Sequence, residues 1–305
     1  MAESVNGWSF NNRGRTLAIY RFSHSTSHHL LFQALSYVRF FFRSGNAHGL
    51  HSPFVFGLYN YVIHHSGQFT AFEPIEKRRQ ELLRNRHLLQ VRDFGAGSHT
   101  GAGRQRRIGD IARTAAKPAA LAQLLFRLVN HFQPRTILEL GTSLGLTTAY
   151  LAAANSRSRV LTFEGCPNTA TVARQTFEQL HLSNVELVEG NLDETLAPTL
   201  ATLTEPLDFA FFDGNHRYEP TLRYFNLCAA HRTERSVFVL DDIHWSSEME
   251  RAWNAIKEHP EVRLTIDLFF VGLVFFRRNQ PRQHFQLRFN HVVDKVLNGV
   301  KQLAP

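Results

Sequence analysis

The stretch that decides the fold is TILELGTSLGLTT, residues 136–148. A short apolar run ends at two glycines, Gly141 and Gly145, and a segment with helical apolar spacing follows. This pattern predicts a buried strand, a tight turn and a helix. Glycine permits a positive φ and close approach of a ligand, and the helix start offers unpaired N–H groups at its positive end. Glu139 lies just before the turn, where a carboxylate can hold the ammonium group of a ligand.

Strands and helices alternate regularly from this stretch onward. The predicted strands are 136–140, 159–163, 185–188, 207–212 and 236–240, and the predicted helices are 145–154, 168–181, 193–203, 219–231 and 247–258. The alternation indicates βαβ units and a parallel sheet covered by helices on both faces. Two further apolar strands, 262–267 and 272–276, have only a short connection and must pair antiparallel. The sequence therefore predicts an α/β fold with a mostly parallel, seven-stranded sheet that ends in an antiparallel hairpin.

The chain is predicted to have three parts. Residues 1–116 form a mainly helical extension, residues 117–280 form the α/β domain, and residues 281–305 end in an amphipathic helix. Residues 91–107 contain a second glycine-rich stretch after an acid, but no strand ending in an acid follows, so we interpret them as a loop. We expect the extension to cover the strand ends as a lid or to form a dimer surface.

Composition narrows the classes of protein. The 305 residues are 43% hydrophobic and 20% charged, as in ordinary globular proteins. The two cysteines, Cys166 and Cys228, cannot form a disulfide framework, which indicates a reducing compartment. The N-terminal residues lack the order of a secretory signal, and no apolar run is long enough to span a bilayer. We therefore predict a cytoplasmic protein.

The basic character of the chain raises the question of a nucleic-acid partner. The net charge is +8, and arginines occur in several clusters. No RNA-recognition signature accompanies these clusters, so we interpret them as solvated faces. A nucleic-acid partner and a homodimer both stay open as alternatives.

Acidic residues lie at the ends of four of the five parallel strands, beginning with Glu139 on the first, at the edge where open α/β sheets bind ligands. Glu164 follows the second strand, where an acid can accept hydrogen bonds from both hydroxyls of a ribose. Asn191 and Leu192 follow the third strand, where a polar and an apolar side chain can contact an adenine. Asp213 follows the fourth strand, and Asp241 ends the fifth. The pattern predicts one ligand site along this edge.

Residues 117–278 resemble the class I S-adenosylmethionine (SAM)-dependent methyltransferases of the catechol/caffeoyl-CoA O-methyltransferase-like group. The resemblance includes the Asp-Gly-x-His-x-Tyr motif of a bacterial branch, which lies here at residues 213–218. It implies a Rossmann-like fold and SAM as the cofactor. The implied cofactor-binding residues are Glu139, Gly141, Thr142, Ser143, Gly145, Glu164, Gly165, Asn191, Leu192 and Asp213. Asn191 departs from the pattern, because many relatives have Asp there.

The resemblance also implies a metal site and a base. Asp213, Asp241 and Asp242 lie where metal-dependent members carry their ligands for Mg²⁺ or a similar cation, and His216 lies where the catechol enzymes carry a basic lysine. Methyl transfer from a sulfonium is an in-line displacement that needs a deprotonated acceptor near the methyl carbon. Oxygen ligands on a divalent cation favour that deprotonation, and an imidazole can take the proton at neutral pH. Asp213 and His216 are therefore the candidate catalytic residues.

Other roles stay open for the same residues. Asp213 can simply approach the sulfonium, and Asp241 and Asp242 can cap the following helix, because Asp is a good N-cap. His216 can be a loop histidine that only forms a hydrogen bond, and His244 is equally ambiguous as a second candidate base.

The sequence therefore predicts a SAM-dependent methyltransferase that acts on an oxygen of a small-molecule acceptor, with or without a divalent cation. One alternative is an RNA- or protein-directed methyltransferase, although the Asn/Asp-Pro-Pro-aromatic signature of many base-methylating enzymes is missing. A second alternative is a SAM-binding protein without catalysis.

Overall fold

The computed structural model describes residues 31–46, 49–92 and 104–289. The strands are β1 Leu88–Val91, β2 Arg104–Arg107, β3 Thr136–Leu140, β4 Arg159–Glu164, β5 Val185–Glu189, β6 Leu207–Phe212, β7 Arg232–Asp241, β8 Leu264–Asp267, β9 Val271–Phe275 and β10 Gln283–Gln286. The helices are α1, which includes residues 31–43, α2 Pro53–Leu58, α3 Phe72–Arg84, α4 Ile108–Thr114, α5 Ala119–Phe132, α6 Leu146–Ala154, α7 Pro167–Gln179, α8 Leu192–Ala201, α9 Tyr218–Ala229 and α10 Ser247–Glu258. A π-helical turn, Tyr59–Ile63, continues α2.

The central sheet has the order β10-β8-β9-β7-β6-β3-β4-β5. Strands β3 to β7 are parallel, and β9 pairs antiparallel with both β7 and β8. The predicted α/β fold with its terminal antiparallel hairpin is therefore confirmed. Alternate residues of β3 face opposite sides, so that Ile137 packs in one apolar cluster and Leu138 in the other. Helices thus cover both faces of the sheet.

The sheet has one strand more than the seven predicted. Strand β10 pairs parallel with β8 and lies within the segment 281–305, which was predicted to lead only into a helix. Its sequence, QHFQ, is short and largely polar, so it gives no strand signal by itself. Pairing with the buried strand β8 determines its conformation. The predicted C-terminal helix falls mainly on residues 290–305, outside the described residues.

Residues 91–107 were also predicted incompletely. The two ends of this segment, together with residues 88–90, form the antiparallel pair of β1 and β2, with Leu88 opposite Arg107. The strand Arg104–Arg107 has the sequence RQRR and lacks any apolar alternation, which explains why the periodicity missed it. Helix α3 ends at Arg84, and the chain then leads into β1.

The N-terminal extension shares the core of the α/β domain. On α3, the ring of Phe72 lies 5.0 Å from that of Phe126 on α5 and 5.5 Å from that of Tyr150 on α6. Helix α1 packs differently: Tyr37 contacts Phe269 in the turn between β8 and β9, with a ring distance of 5.0 Å. That turn lies at the carboxyl end of β7, where the site is. None of the helices in the described parts of the chain combines the length and the apolar character that a bilayer span requires.

Candidate active site

The turn after β3 is shaped by close packing against β6. Gly141 has a φ of 108°, and a Cβ at this position would lie 2.5 Å from the carbonyl oxygen of Asp213. Gly145, with a φ of 81°, precedes α6, and a Cβ there would lie 2.7 Å from the ring of Phe177. Both positions therefore require glycine, which adopts a positive φ without strain. The turn places the N-terminus of α6 directly after Gly145, at the carboxyl edge of the sheet.

Glu139 is buried beneath this turn and is only partly satisfied. The hydroxyls of Thr148 and Thr162 donate to Oε2 over 2.5 Å and 2.6 Å. Oε1 is buried and has no hydrogen-bond partner among the described residues. Burial raises the pKa of Glu139 to about 8, and the two hydroxyls only partly offset this. A buried acceptor without a partner is costly, so Oε1 fits the donor of a missing ligand, such as an ammonium group.

Glu164 joins the ends of β3 and β4. The backbone N–H of Ser143 donates to Oε2 over 2.8 Å, and the backbone N–H of Cys166 donates to Oε1 over 2.9 Å. Thr142 adds a second tie, since its Oγ1 lies 2.6 Å from Oγ1 of Thr162. These bonds hold the carboxylate of Glu164 and the adjoining Gly165 at the mouth of the turn.

Asn191 and Leu192 lie at the start of α8, after β5. The side chain of Asn191 caps the helix, accepting from the backbone N–H of Asp193 over 3.2 Å. Leu192 packs beside the turn after β6, where a Cβ at Gly214 would lie 3.1 Å from its Cδ1. The ends of β3 to β6 therefore meet along one edge, and the residues predicted to bind the cofactor lie along it.

The predicted catalytic residues, Asp213 and His216, follow β6, which lies beside β3 in the sheet. Asp213, His216 and Asp241 each present a side-chain oxygen or nitrogen, all within 4.8 Å of one another. Nε2 of His216 is 3.6 Å from Oδ1 of Asp213. Asp242 follows with a φ of 51° at the turn after β7. The structure thus brings Asp213 and Asp241 together from the ends of two neighbouring strands, and Asp242 is not part of this group of three.

Lys117 completes this cluster, and the sequence analysis missed it as a site residue. Its Nζ donates to Oδ1 of Asp213 over 2.8 Å and also to Oδ2 of Asp241. Burial by itself lowers the pKa of Lys117, but the carboxylates of Asp213, Asp241 and Asp242 outweigh burial and hold that pKa well above its usual value. These carboxylates therefore favour the ammonium form of Lys117 at the carboxyl edge.

The position of Lys117 follows from the topology. Helix α5 leads into β3 through residues 133–135 only, so it runs back along the sheet and begins near the edge where the strands end. Lys117 lies two residues before α5. The guanidinium of Arg79 on α3 donates to the carbonyl oxygen of Lys117 over 2.9 Å and fixes the backbone there. The available sequence signal was a single lysine just before the helix that precedes the first parallel strand.

The metal predicted on Asp213, Asp241 and Asp242 can be tested against this arrangement. Carboxylate oxygens and an imidazole nitrogen suit a divalent cation, and three of them are close enough to share one. However, the ammonium of Lys117 already lies within hydrogen-bond distance of both Asp213 and Asp241. A metal between these carboxylates would have to displace it. The residues as arranged therefore do not fit a bound divalent ion.

His244, the second candidate base, has both ring nitrogens engaged. Nδ1 lies 2.9 Å from Oε1 of Glu250, and Nε2 lies 2.9 Å from Oδ2 of Asp267. The ring stacks on Phe269, with centroids 5.2 Å apart. Burial lowers the pKa of His244, but the two carboxylates dominate and raise it to about 9. His244 therefore serves as an ion-paired structural residue and not as a base.

Comparison with known proteins defines the class to which this edge belongs. Residues 138–243 match the model of a family described as a methyltransferase domain. The O-methyltransferase of Bacillus cereus, solved in complex with S-adenosylhomocysteine (SAH), is 19% identical, with a TM-score of 0.51 over 71% of this chain and 95% of that one. The SAH-bound methyltransferase of Podospora anserina is 14% identical, with a TM-score of 0.52 over 74% and 97% of the two chains.

One curated relative indicates which group of methyltransferases the matched residues resemble. The catechol O-methyltransferase of Mycobacterium tuberculosis is 33% identical over 130 residues, which are 42% of this chain and 57% of that protein. The match covers 57% of the length of that protein, and the match to a second curated relative, a mimivirus protein, covers 37% of its length. Residues 138–243 are thus similar to a methyltransferase domain, and the similarity to an O-methyltransferase agrees with the predicted resemblance.

Proposed function

We propose that this protein is a SAM-dependent methyltransferase that transfers a methyl group to an oxygen of a small-molecule acceptor. The observation that carries the proposal is the buried Oε1 of Glu139 near the N-terminus of α6, which has no hydrogen-bond partner in the described part of the chain. The methionine part of SAM carries an ammonium group, which supplies the donor that this oxygen lacks. Solved neighbours with the same fold, from Bacillus cereus and Podospora anserina, hold SAH.

The remaining cofactor contacts follow from the edge of the sheet. In the proposal, Glu164 accepts from the ribose hydroxyls, and Asn191 and Leu192 contact the adenine. The backbone of the turn binds the amino-acid part, through Gly141, Thr142, Ser143, Gly145 and Gly165. In the same proposal, Asp213, which follows β6, lies close to the sulfonium of SAM. When bound, SAM supplies the electrophilic methyl group.

His216 is the proposed base. It lies on the turn between β6 and α9 and is partly exposed, so an acceptor can reach it. The carboxylate of Asp213 is 3.6 Å from Nε2 and can interact with the imidazolium that forms when the acceptor proton is taken.

The two cysteines are both buried and unpaired, which agrees with a reducing compartment and supports the cytoplasmic location that we propose.

The test of this function uses SAM with a deuterated methyl group. The purified protein is incubated with labelled SAM and a small-molecule extract of its source cells, and labelled products are detected by mass spectrometry. We expect labelled O-methyl products whose rate of formation falls at least ~100-fold in His216→Ala, because a positioned base contributes about that much. The matched control is His131→Ala, which removes an exposed histidine outside the site.

The outcomes separate the alternatives. Binding of SAH must be unchanged in His216→Ala, so that the loss reflects chemistry alone. Label found only on RNA or protein would overturn the small-molecule acceptor. A wild-type protein that binds SAH but labels nothing in the extract, in RNA or in protein would indicate a SAM-binding protein without catalysis.

A further inference from the structure

We propose that the ammonium of Lys117 is the resident cation of this site, and that it takes the place of a divalent metal ion between Asp213 and Asp241. Methyl transfer would then proceed without a metal. The inference rests on the proposed function for its chemistry, but its geometry stands on the contacts of Lys117 alone.

The contacts place the ammonium between the two strand ends. Nζ is 2.8 Å from Oδ1 of Asp213, which follows β6, and also donates to Oδ2 of Asp241, the last residue of β7. Asp241 is almost completely buried, with its side chain 1% exposed. An ammonium has three N–H donors, and these two carboxylates use two of them. The third remains for an acceptor oxygen.

Polar contacts with residues of α3 and α6 hold the backbone of Lys117 in place. The backbone carbonyl of Lys117 accepts from Arg79, and Arg79 also donates to Glu76 over 3.0 Å. Glu76 in turn accepts from the hydroxyl of Tyr150 on α6 over 2.7 Å. The lysine side chain is only 10% exposed. A chain of polar contacts thus links the helix after β3 to the backbone of Lys117, so the cation is built into the fold.

The charges explain why a metal is excluded. Asp213, Asp241 and Asp242 bring negative charge to this edge, and Lys117 lies close enough to interact with all three. A divalent ion bound to the same oxygens would lie beside this ammonium in a poorly solvated place. Like charges at such a distance repel strongly, because burial weakens the screening by water. One of the two cations must therefore be absent, and the lysine is covalently attached.

The proposed step balances without a metal. The acceptor hydroxyl gives its proton to Nε2 of His216, and the third N–H of Lys117 donates to the oxygen as negative charge develops there. The oxygen forms its bond to the methyl carbon while the carbon–sulfur bond breaks, and that electron pair stays on sulfur. The proton on His216 then passes to water. Lys117 keeps its protons throughout and acts as an electrostatic donor.

The experiment measures binding of Mn²⁺ alone, followed by electron paramagnetic resonance, in the full-length protein. The variants are Asp241→Asn, Lys117→Ala and the exposed-lysine control Lys77→Ala. We expect wild-type protein and Lys77→Ala to bind no more Mn²⁺ than Asp241→Asn does. Lys117→Ala should gain one site at least tenfold tighter than any in the wild type, because its carboxylates have lost their counter-charge. The gained site should disappear in the double variant Lys117→Ala/Asp241→Asn.

Two results would overturn the proposal. The first is a wild-type protein that binds one Mn²⁺ and loses it in Asp241→Asn. The second is a folded Lys117→Ala variant that gains no site, since Lys117 would then not be what excludes the metal. If Lys117→Ala fails to fold, the comparison of wild type with Asp241→Asn decides the question. Calorimetry with SAH is a separate readout, so a failure of cofactor binding is distinguishable from a failure of metal exclusion.

Discussion

Two basic side chains at the carboxyl edge of the sheet, one buried and one partly buried, are each held between two carboxylates. Lys117 lies between Asp213 and Asp241, and His244 lies between Glu250 and Asp267. The charge pattern is the same, but the surroundings differ.

The His244 cluster is enclosed. The ring of Phe269 stacks on the imidazole, the ring of Phe40 from α1 lies 6.4 Å away, and Ser36 of α1 donates to Glu250 over 2.8 Å. The Lys117 cluster instead adjoins the partly exposed His216 at the end of β6. Of the two clusters, only that of Lys117 lies beside a partly exposed histidine that an acceptor can reach. We therefore expect the His244 cluster to support the fold alone and the Lys117 cluster to serve chemistry as well.

The largest expected effect on stability comes from breaking the Lys117 cluster. Lys117→Ala leaves two carboxylates facing each other at a poorly solvated edge, and loss of one partner of a buried ion pair costs about 3–5 kcal/mol. We expect the free energy of unfolding, measured with urea, to fall by that amount. The double variant Lys117→Met/Asp241→Asn should recover most of the loss, because it removes opposite charges together. A single variant as stable as the wild type would show that the pair is not buried as described.

The His244 cluster should give a stability that depends on pH. The folded-state pKa of His244 is raised to about 9 from 6.5, so its contribution is fully present below pH 6.5 and is lost as the pH rises through 9. The shift corresponds to about 3 kcal/mol. We therefore expect the free energy of unfolding of the wild type to fall by about that much more than that of His244→Asn over this window. The exposed-histidine variant His131→Asn should follow the wild type, and parallel curves for wild type and His244→Asn would contradict the assignment.

The smallest effect concerns the attachment of α1. Ser36→Ala removes one hydrogen bond to the charged Glu250, which is worth about 1.5–3 kcal/mol. The loss should appear in thermal unfolding. SAH affinity should not change, because the His244 cluster does not include the residues at the ends of β3 to β6 that are proposed to bind the cofactor. A weakened SAH affinity in Ser36→Ala would show that the two clusters are coupled.

The fold was largely predictable because its main signals are local. Strands β3 to β7 are apolar runs that end at glycines or acids, so periodicity and turn residues located them. Strands β2 and β10 were missed because their sequences, RQRR and QHFQ, carry no alternation and depend on a partner strand. Secondary structure that tertiary pairing decides cannot be seen from a single segment.

The site divides in the same way. Glu139 lies near the end of β3 and Glu164 ends β4, so their positions were evident once the strands were assigned. Lys117 was not, because its partner Asp241 is 124 residues away and the contact depends on the direction of α5. The sequence also allowed His244 as a base, and only the structure shows both of its ring nitrogens bound to carboxylates.

Calorimetric titration of the purified protein with SAH tests directly whether the carboxyl edge of the sheet binds SAM. Glu139→Gln is the critical variant, and Glu186→Gln, at an exposed position on β5, is the matched control. We expect micromolar binding in the wild type and in the control. Binding should weaken tenfold or more in Glu139→Gln, because a charge-assisted hydrogen bond to the ligand's ammonium group, worth about 1.5–3 kcal/mol, is lost. A folded wild type that is free of co-purified ligand and binds no SAH would contradict the assignment of this edge as a SAM site, and so would unchanged binding in Glu139→Gln.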